Sequence, residues 1–139
     1  MDLAAALDFA RTRHIGVLVT QRKNGRPQLS NISYAVGRDD VIRISTRAGL
    51  AKPVNLERTP FASLYVGGDN FGAYVVLDAD AELSPVATAR DDATVEELIE
   101  LFRDVQGEHP DWDDYRRAMV DDGRLVVRLR PTHAYGFAR

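Results

Sequence analysis

Asn24-Gly25 sits between two β-rich segments, HIGVLVT at residues 14–20 and PQLSNISYAV at residues 27–36. An Asn-Gly pair supplies the two positive-φ positions of a tight hairpin, so the flanking segments must run antiparallel. The turn GRDD at residues 37–40 then leads into a third alternating segment, where Val41, Ile42 and Ile44 are apolar. Three such strands in order predict a meander. PFASLYVG (60–67) reads as a fourth strand, the turn GGDN leads into a long fifth at 73–86, and RLVVRLRP (124–131) alternates as the sixth. Connections this short exclude crossover helices between most of these strands and favour antiparallel pairing. The expected architecture is mainly β with peripheral helices: a six-stranded antiparallel barrel, closed or nearly so.

The helices have their own period. Leu3, Ala6, Leu7 and Ala10 recur at helical spacing over residues 2–12. Asp92 or Thr94 caps a helix whose Val95, Leu98, Ile99 and Phe102 form one apolar stripe, and a shorter helix comes next with Trp112, Tyr115 and Met119 spaced to pack on the core. These two form a helical insertion at about residues 91–121 within a single domain spanning 1–139.

Several chemistries lack the residues they need. With no Cys, disulfides, thiolate metal sites and a Cys nucleophile are excluded. His14, His109 and His133 each stand without a carboxylate or second His at ligand spacing, so no metal site is expected. No G-x-S-x-G elbow is present. Asp91-Asp92, Asp113-Asp114 and Asp121-Asp122 fall at helix starts or turns, where capping explains them. Gly67, Gly68 and Gly72 read as a turn and not a phosphate loop. No apolar run approaches the roughly 20 residues of a membrane span, and the N-terminus lacks a signal-peptide pattern, so the expected location is the cytoplasm. A net charge of −3 argues against general nucleic-acid binding, yet residues 11–58 are rich in Arg while residues 78–122 are dominated by Asp and Glu. That asymmetry suits a small anionic ligand held where the potential is locally positive.

The third strand and the helix after it carry the chemistry. Ser45, Thr46 and Arg47 close the strand, and Lys52 and Asn55 stand three residues apart on the first turn of the helix. Hydroxyls, amides at a helix start, a guanidinium and an ammonium together make a phosphate seat. The second strand carries Gln28, Ser30, Asn31, Ser33 and Tyr34, and in a meander these donors would lie beside it, gripping a planar ring at one end and a phosphate at the other. The same residues equally suit the solvated face of a half-buried sheet.

The segments NGRPQLSN (24–31), IST…AKPVNL (44–56), PFASLYV (60–66), TVEELIELF (94–102), GEHPDWDDYRRAMV (107–120) and HAYGF (133–137) together resemble the split-barrel flavin and deazaflavin proteins related to pyridoxamine 5′-phosphate oxidase. Within them, the chain looks like the actinobacterial branch that uses the deazaflavin coenzyme F420. The resemblance implies a homodimer of six-stranded split barrels with two cofactor sites in the grooves between subunits. It implies that Ser45, Thr46, Lys52 and Asn55 meet the phosphate and its tail, and that Gln28, Asn31 and Ile32 lie near the ring system. It further implies that a residue from the partner chain completes the pocket, with the loop at residues 70–74 the expected source. Two departures stand out: Leu50 occupies a position where relatives tend to carry Arg, leaving Arg47 to supply that charge, and the loop tip reads Phe71-Gly72-Ala73-Tyr74. The implied activity is hydride transfer from the reduced deazaflavin to a small conjugated acceptor, with Tyr34 or a water as proton source. The alternatives are an oxidoreductase binding flavin mononucleotide (FMN), for which Arg43 is the one additional basic residue in view, and a non-catalytic F420 carrier.

Overall fold

A computed structural model describes residues 1–138. One antiparallel sheet of seven strands carries the fold, in the spatial order β2-β1-β5-β6-β7-β4-β3. Its strands are β1 (Ile15–Gln21), β2 (Pro27–Ser33), β3 (Ala35–Val36), β4 (Ile42–Arg47), β5 (Phe61–Gly67), β6 (Tyr74–Leu83) and β7 (Arg124–Phe137). Four helices accompany them: α1 (Leu3–Arg11), α2 (Ala51–Arg58), α3 (Ala93–Gln106) and α4 (Trp112–Asp121). Among the described residues no helix is long and apolar enough to cross a membrane.

The hairpin forms as its turn demands. Of the Asn24-Gly25 pair only Gly25 takes a positive φ, +86°, and β1 pairs with β2 from Ile15↔Ser33 to Gln21↔Pro27. The meander stops there. The segment expected as one second strand is two, β2 and β3, and this break accounts for seven strands in place of six. Tyr34 is the pivot: fully buried, with its amide donating to the His14 carbonyl and its hydroxyl donating to the Ala10 carbonyl at 2.8 Å. From that pivot the chain crosses to the far side, so β2 and β3 end at opposite edges of the sheet. Adjacency of the second strand to the Ser45 strand, expected from the sequence, survives only at its end, where Ala35 and Val36 of β3 pair with Arg43 and Ile42; residues 27–33 lie elsewhere, and the other neighbour of β4 is β7, through Ile44↔Val127 and Thr46↔Leu125. The sheet curls, and its curl brings β2, at one edge, toward β4, next to the other edge, as the open side of a half-barrel.

Alternation then decides what faces inward. Along β6, Val75, Leu77 and Ala79 enter the barrel, while Asp78, Asp80 and Glu82 face out. Leu18, Ile42, Ile44, Leu64, Leu77 and Leu129 are essentially inaccessible, each contributing about 1.5–3 kcal/mol by burial. α1 closes one end with Ala6, Leu7 and Ala10, the face its spacing predicts, and Asp2 caps it through the Ala5 amide. A second, smaller core lies under α3 and α4, where Val95, Leu98, Ile99, Tyr115 and Met119 pack on Val126 of β7. Asp92 caps α3, and Asp111, not Asp113 or Asp114, caps α4.

Tyr34→Phe should cost about 1 kcal/mol of stability, the net loss of one buried hydrogen bond, while the Ala10 carbonyl keeps the Arg13 amide as a donor. Chemical denaturation checks this, and ligand affinity should not move.

Candidate functional site: a cationic cavity in the split of the barrel

Where β2 and β4 approach, a cavity of about 430 Å³ opens. One side is polar: Asn31 and Ser33 from β2, Ser45, Thr46 and Arg47 from β4, Lys52 from α2, and Arg124 at the start of β7. The other is apolar: Leu101, Phe102 and Val105 from α3, and Tyr115 and Met119 from α4. Ile32, Leu50 and the polar Gln106 at the end of α3 complete the rim. The lining holds three cations and no carboxylate, although the whole chain carries more acid than base.

Neighbouring carboxylates do little to neutralise these cations. Among the described residues, neither Arg47 nor Lys52 takes part in any of the protein's ion pairs. Arg124 has only Asp122, 3.9 Å from its Nε. Among the described residues two side-chain polar atoms are buried with no hydrogen-bond partner, the Thr46 Oγ1 and the Arg124 Nε. Thr46 is 2% exposed, and an orphaned buried hydroxyl costs free energy that an acceptor from a ligand would restore. Arg124 Nη1 lies 3.5 Å from Ser45 Oγ, so hydroxyl and guanidinium share one corner. Leu50 provides no side-chain cap for α2, which leaves that helix's first amides open to an anion.

Of the residues expected from sequence, Asn31, Ile32, Ser45, Thr46, Arg47 and Lys52 converge here. They do so across the open edge of the barrel and not as sheet neighbours. Asn55 turns away: it is buried, its Nδ2 donates to Thr20 Oγ1 at 3.1 Å, and its Oδ1 accepts from Arg58. Gln28 stands further along β2 opposite Thr20 and lines no part of the cavity. Arg43 is committed elsewhere, to Asp39 and Glu97. The bonds from Arg43 depress the Asp39 carboxyl to about 2. Tyr34 is unsuited to the role of proton source, since its hydroxyl is buried and already donated, and burial pushes its pKa upward. Tyr115 is in the same condition, raised to about 12 by burial, with its hydroxyl donated to the Leu98 carbonyl.

Arg124 and the helical wall are the parts that sequence reasoning misses. Arg124 lies 79 positions from Ser45 and reaches the cavity only because β7 pairs with β4. The wall residues sit on the apolar stripes of α3 and α4, and a stripe does not disclose which of its members border a void.

A second depression, about 630 Å³, adjoins the first and shares Asn31, Ile32 and Ser33 with it. Ile15, Val17 and Tyr65 line it, with Gly16, Gly67 and Gly68 lowering its floor.

The sequence pattern of pyridoxamine 5′-phosphate oxidase matches residues 3–137, nearly the entire chain. The chain belongs to that family. Among solved structures, this family member is similar to the conserved hypothetical protein Rv2991 from Mycobacterium tuberculosis, at 26% identity and a TM-score of 0.73 over 99% of this chain and 85% of that one. It is also similar to an F420 reductase, at 21% identity and a TM-score of 0.70, covering 92% and 94%. The heme storage protein HutZ from Vibrio cholerae has the same fold at 17% identity, with a TM-score of 0.68 over 96% and 93%. The likeness of the last two to this family member is one of fold.

Proposed function

We propose that this protein binds the deazaflavin coenzyme F420 and acts as an oxidoreductase on a small conjugated acceptor. The observation that carries the reading is the cavity lined by three cations and no carboxylate, with Thr46 among its lining residues and the Thr46 hydroxyl buried and unpaired. The residues fit such a ligand. Lys52, Thr46, Ser45 and the start of α2 would hold its phosphate, and the shared Asn31–Ile32–Ser33 edge leads to the adjoining apolar depression, where a planar ring would lie. The similar F420 reductase adds support for the branch. When bound, the reduced coenzyme supplies hydride chemistry; the protein supplies position and exclusion of water. The cavity lining contains no Asp, Glu or His, so these walls orient reactants and leave proton delivery to solvent.

A homodimer belongs to the same reading. Ile15, Leu29, Tyr65, Tyr135 and Phe137 are exposed large apolar residues on the outer face of the sheet, a face that a second copy would cover. Phe71, fully exposed at the tip of the 70–74 loop, is placed to reach a partner.

FMN is the second reading, favoured by Arg124. That residue adds a cation of the kind a doubly charged phosphate monoester requires. A fluorescence titration with F420 and, in parallel, with FMN separates the two: micromolar binding of F420 alone supports the proposal, preference for FMN moves the protein to flavin chemistry, and binding of neither overturns both. Steady-state turnover with reduced F420 then separates an enzyme from a carrier.

Thr46→Val should leave the ligand-free protein as stable or more stable by up to ~1 kcal/mol, because it removes an unpaired buried hydroxyl. The same change should weaken F420 binding. Denaturation and titration of one variant read both effects.

A further inference from the structure

We propose that Arg124, set opposite Arg47 across β4 and β7, makes with it a two-guanidinium clamp for a ligand end carrying at least two negative charges. This rests on the phosphate-seat reading and extends it to residues that reading did not need. Arg47↔Arg124 is a directly opposed pair in the β4–β7 register, so alternation sends both side chains to the same face, and both line the cavity. Like charges directly opposed on neighbouring strands destabilise a sheet. Elsewhere the chain neutralises its half-buried strand arginines: Arg43 has Asp39 and Glu97, and Arg128 has Glu97 and Glu82. Here it does not. Arg47, which is exposed, has no ion-pair partner among the described residues, and the half-buried Arg124 keeps a buried Nε that donates to nothing, with Asp122 only at 3.9 Å.

An uncompensated pair of this kind is explained if the missing counter-charge arrives with the ligand. Guanidinium forks are suited to it, since each offers parallel donors to phosphate or carboxylate oxygens. With Lys52 nearby, three positive charges face one small volume. That excess favours a phosphate monoester dianion, or a phosphodiester with a carboxylate beside it, over a single isolated charge. FMN presents the first form and F420 with its glutamate tail the second. Riboflavin and the tail-less deazaflavin, which lack the phosphate, are the matched neutral probes.

The test uses purified full-length protein. Affinities for F420, FMN and both phosphate-free probes are measured for the natural protein and for Arg124→Met, Lys52→Ala and Arg22→Met, the last removing an equal charge outside the cavity. Melting temperature is followed with inorganic phosphate against chloride at equal ionic strength. The clamp predicts that Arg124→Met loses roughly tenfold or more in affinity for the charged probe that binds, that its affinity for the neutral probes is unchanged, and that phosphate no longer raises its melting temperature. Its ligand-free melting temperature should equal or exceed that of the natural protein. Arg22→Met should behave as the natural protein does. Asp122→Asn, which removes the one carboxylate near Arg124, should tighten charged-probe binding by about twofold, and it keeps the question open to measurement should Arg124→Met fail to fold. Full affinity in Arg124→Met while Lys52→Ala has lost binding overturns the clamp and leaves the phosphate seat standing. Failure of the natural protein to bind any charged probe overturns both.

Discussion

Replacing Lys52 by alanine should weaken F420 binding by ~1–3 kcal/mol, about 5- to 150-fold, without loss of fold. The size is that of one charged hydrogen bond removed from a partly buried site. No protein group is left unpaired by the change, because Lys52 makes no ion pair among the described residues and lies on the first turn of α2. A cation near a helix N-terminus opposes the helix dipole, so removing it should leave stability unchanged or raise it by ~0.3–1 kcal/mol. Lower affinity with equal or greater stability is the signature of a residue held for its ligand. Titration at two salt concentrations, with urea unfolding alongside, reads both quantities; unchanged affinity would sink the phosphate seat. Thr46 and Arg124 obey the same logic, one an unpaired buried hydroxyl and the other a guanidinium whose buried Nε donates to nothing. All three features burden the empty protein in one place, and an anion relieves all three.

How far the site is legible in the sequence depends on how each residue reaches it. Residues 45–52 are contiguous, so hydroxyls, guanidinium and ammonium can be read together from the chain. Asn31 and Ile32 are also within reach, though by a wrong route: the sequence favours a simple meander, and the structure attains the same proximity by curling the sheet until its two edges meet. Tyr34 is the cause of that difference. Its ring reads as one more member of an alternating strand, whereas its buried hydroxyl on Ala10 fixes a break that sends the chain to the opposite edge. Asn55 misleads because three-residue spacing says only that two side chains share a helical face; whether that face meets the cavity or Thr20 is settled by packing. Arg124 is out of reach, since strand pairing across 79 positions is a property of the whole sheet. The charge asymmetry between the halves is explained in part by an ion pair that joins them, Arg43 with Glu97.

Glu97 is where the helical wall is fastened, and Glu97→Ala should therefore injure both stability and binding. Its two oxygens take Arg128 Nη2 at 2.5 Å and Nε at 2.8 Å, and also Arg43 Nε at 2.8 Å, so one carboxylate of α3 holds both β4 and β7. The carboxylate side chain is only 17% exposed and the two arginines are about a quarter exposed. Breaking a fully buried pair costs about 3–5 kcal/mol; with the arginines partly screened, about 2–3 kcal/mol is expected here. Hydrogen bonds from Arg128, then from Arg43, hold the Glu97 pKa below its ordinary 4.5. The folded state thus binds this proton more weakly than the unfolded state, so the stabilisation is complete above the unfolded value and is lost as pH falls from about 4.5 through the lower folded value. Urea midpoints measured from pH 7 down to pH 3 should fall more steeply for the natural protein than for Glu97→Gln, which has no proton to gain. Because α3 carries Leu101, Phe102 and Val105 into the cavity, loosening it should also weaken F420 binding. Phe102→Ala alters the same wall without touching the ion pairs, and it should reproduce the loss of affinity but leave the acid sensitivity of the natural protein in place. If Glu97→Gln keeps the full pH dependence, the fastening lies elsewhere, in the apolar packing of Val95, Leu98 and Ile99 against β7.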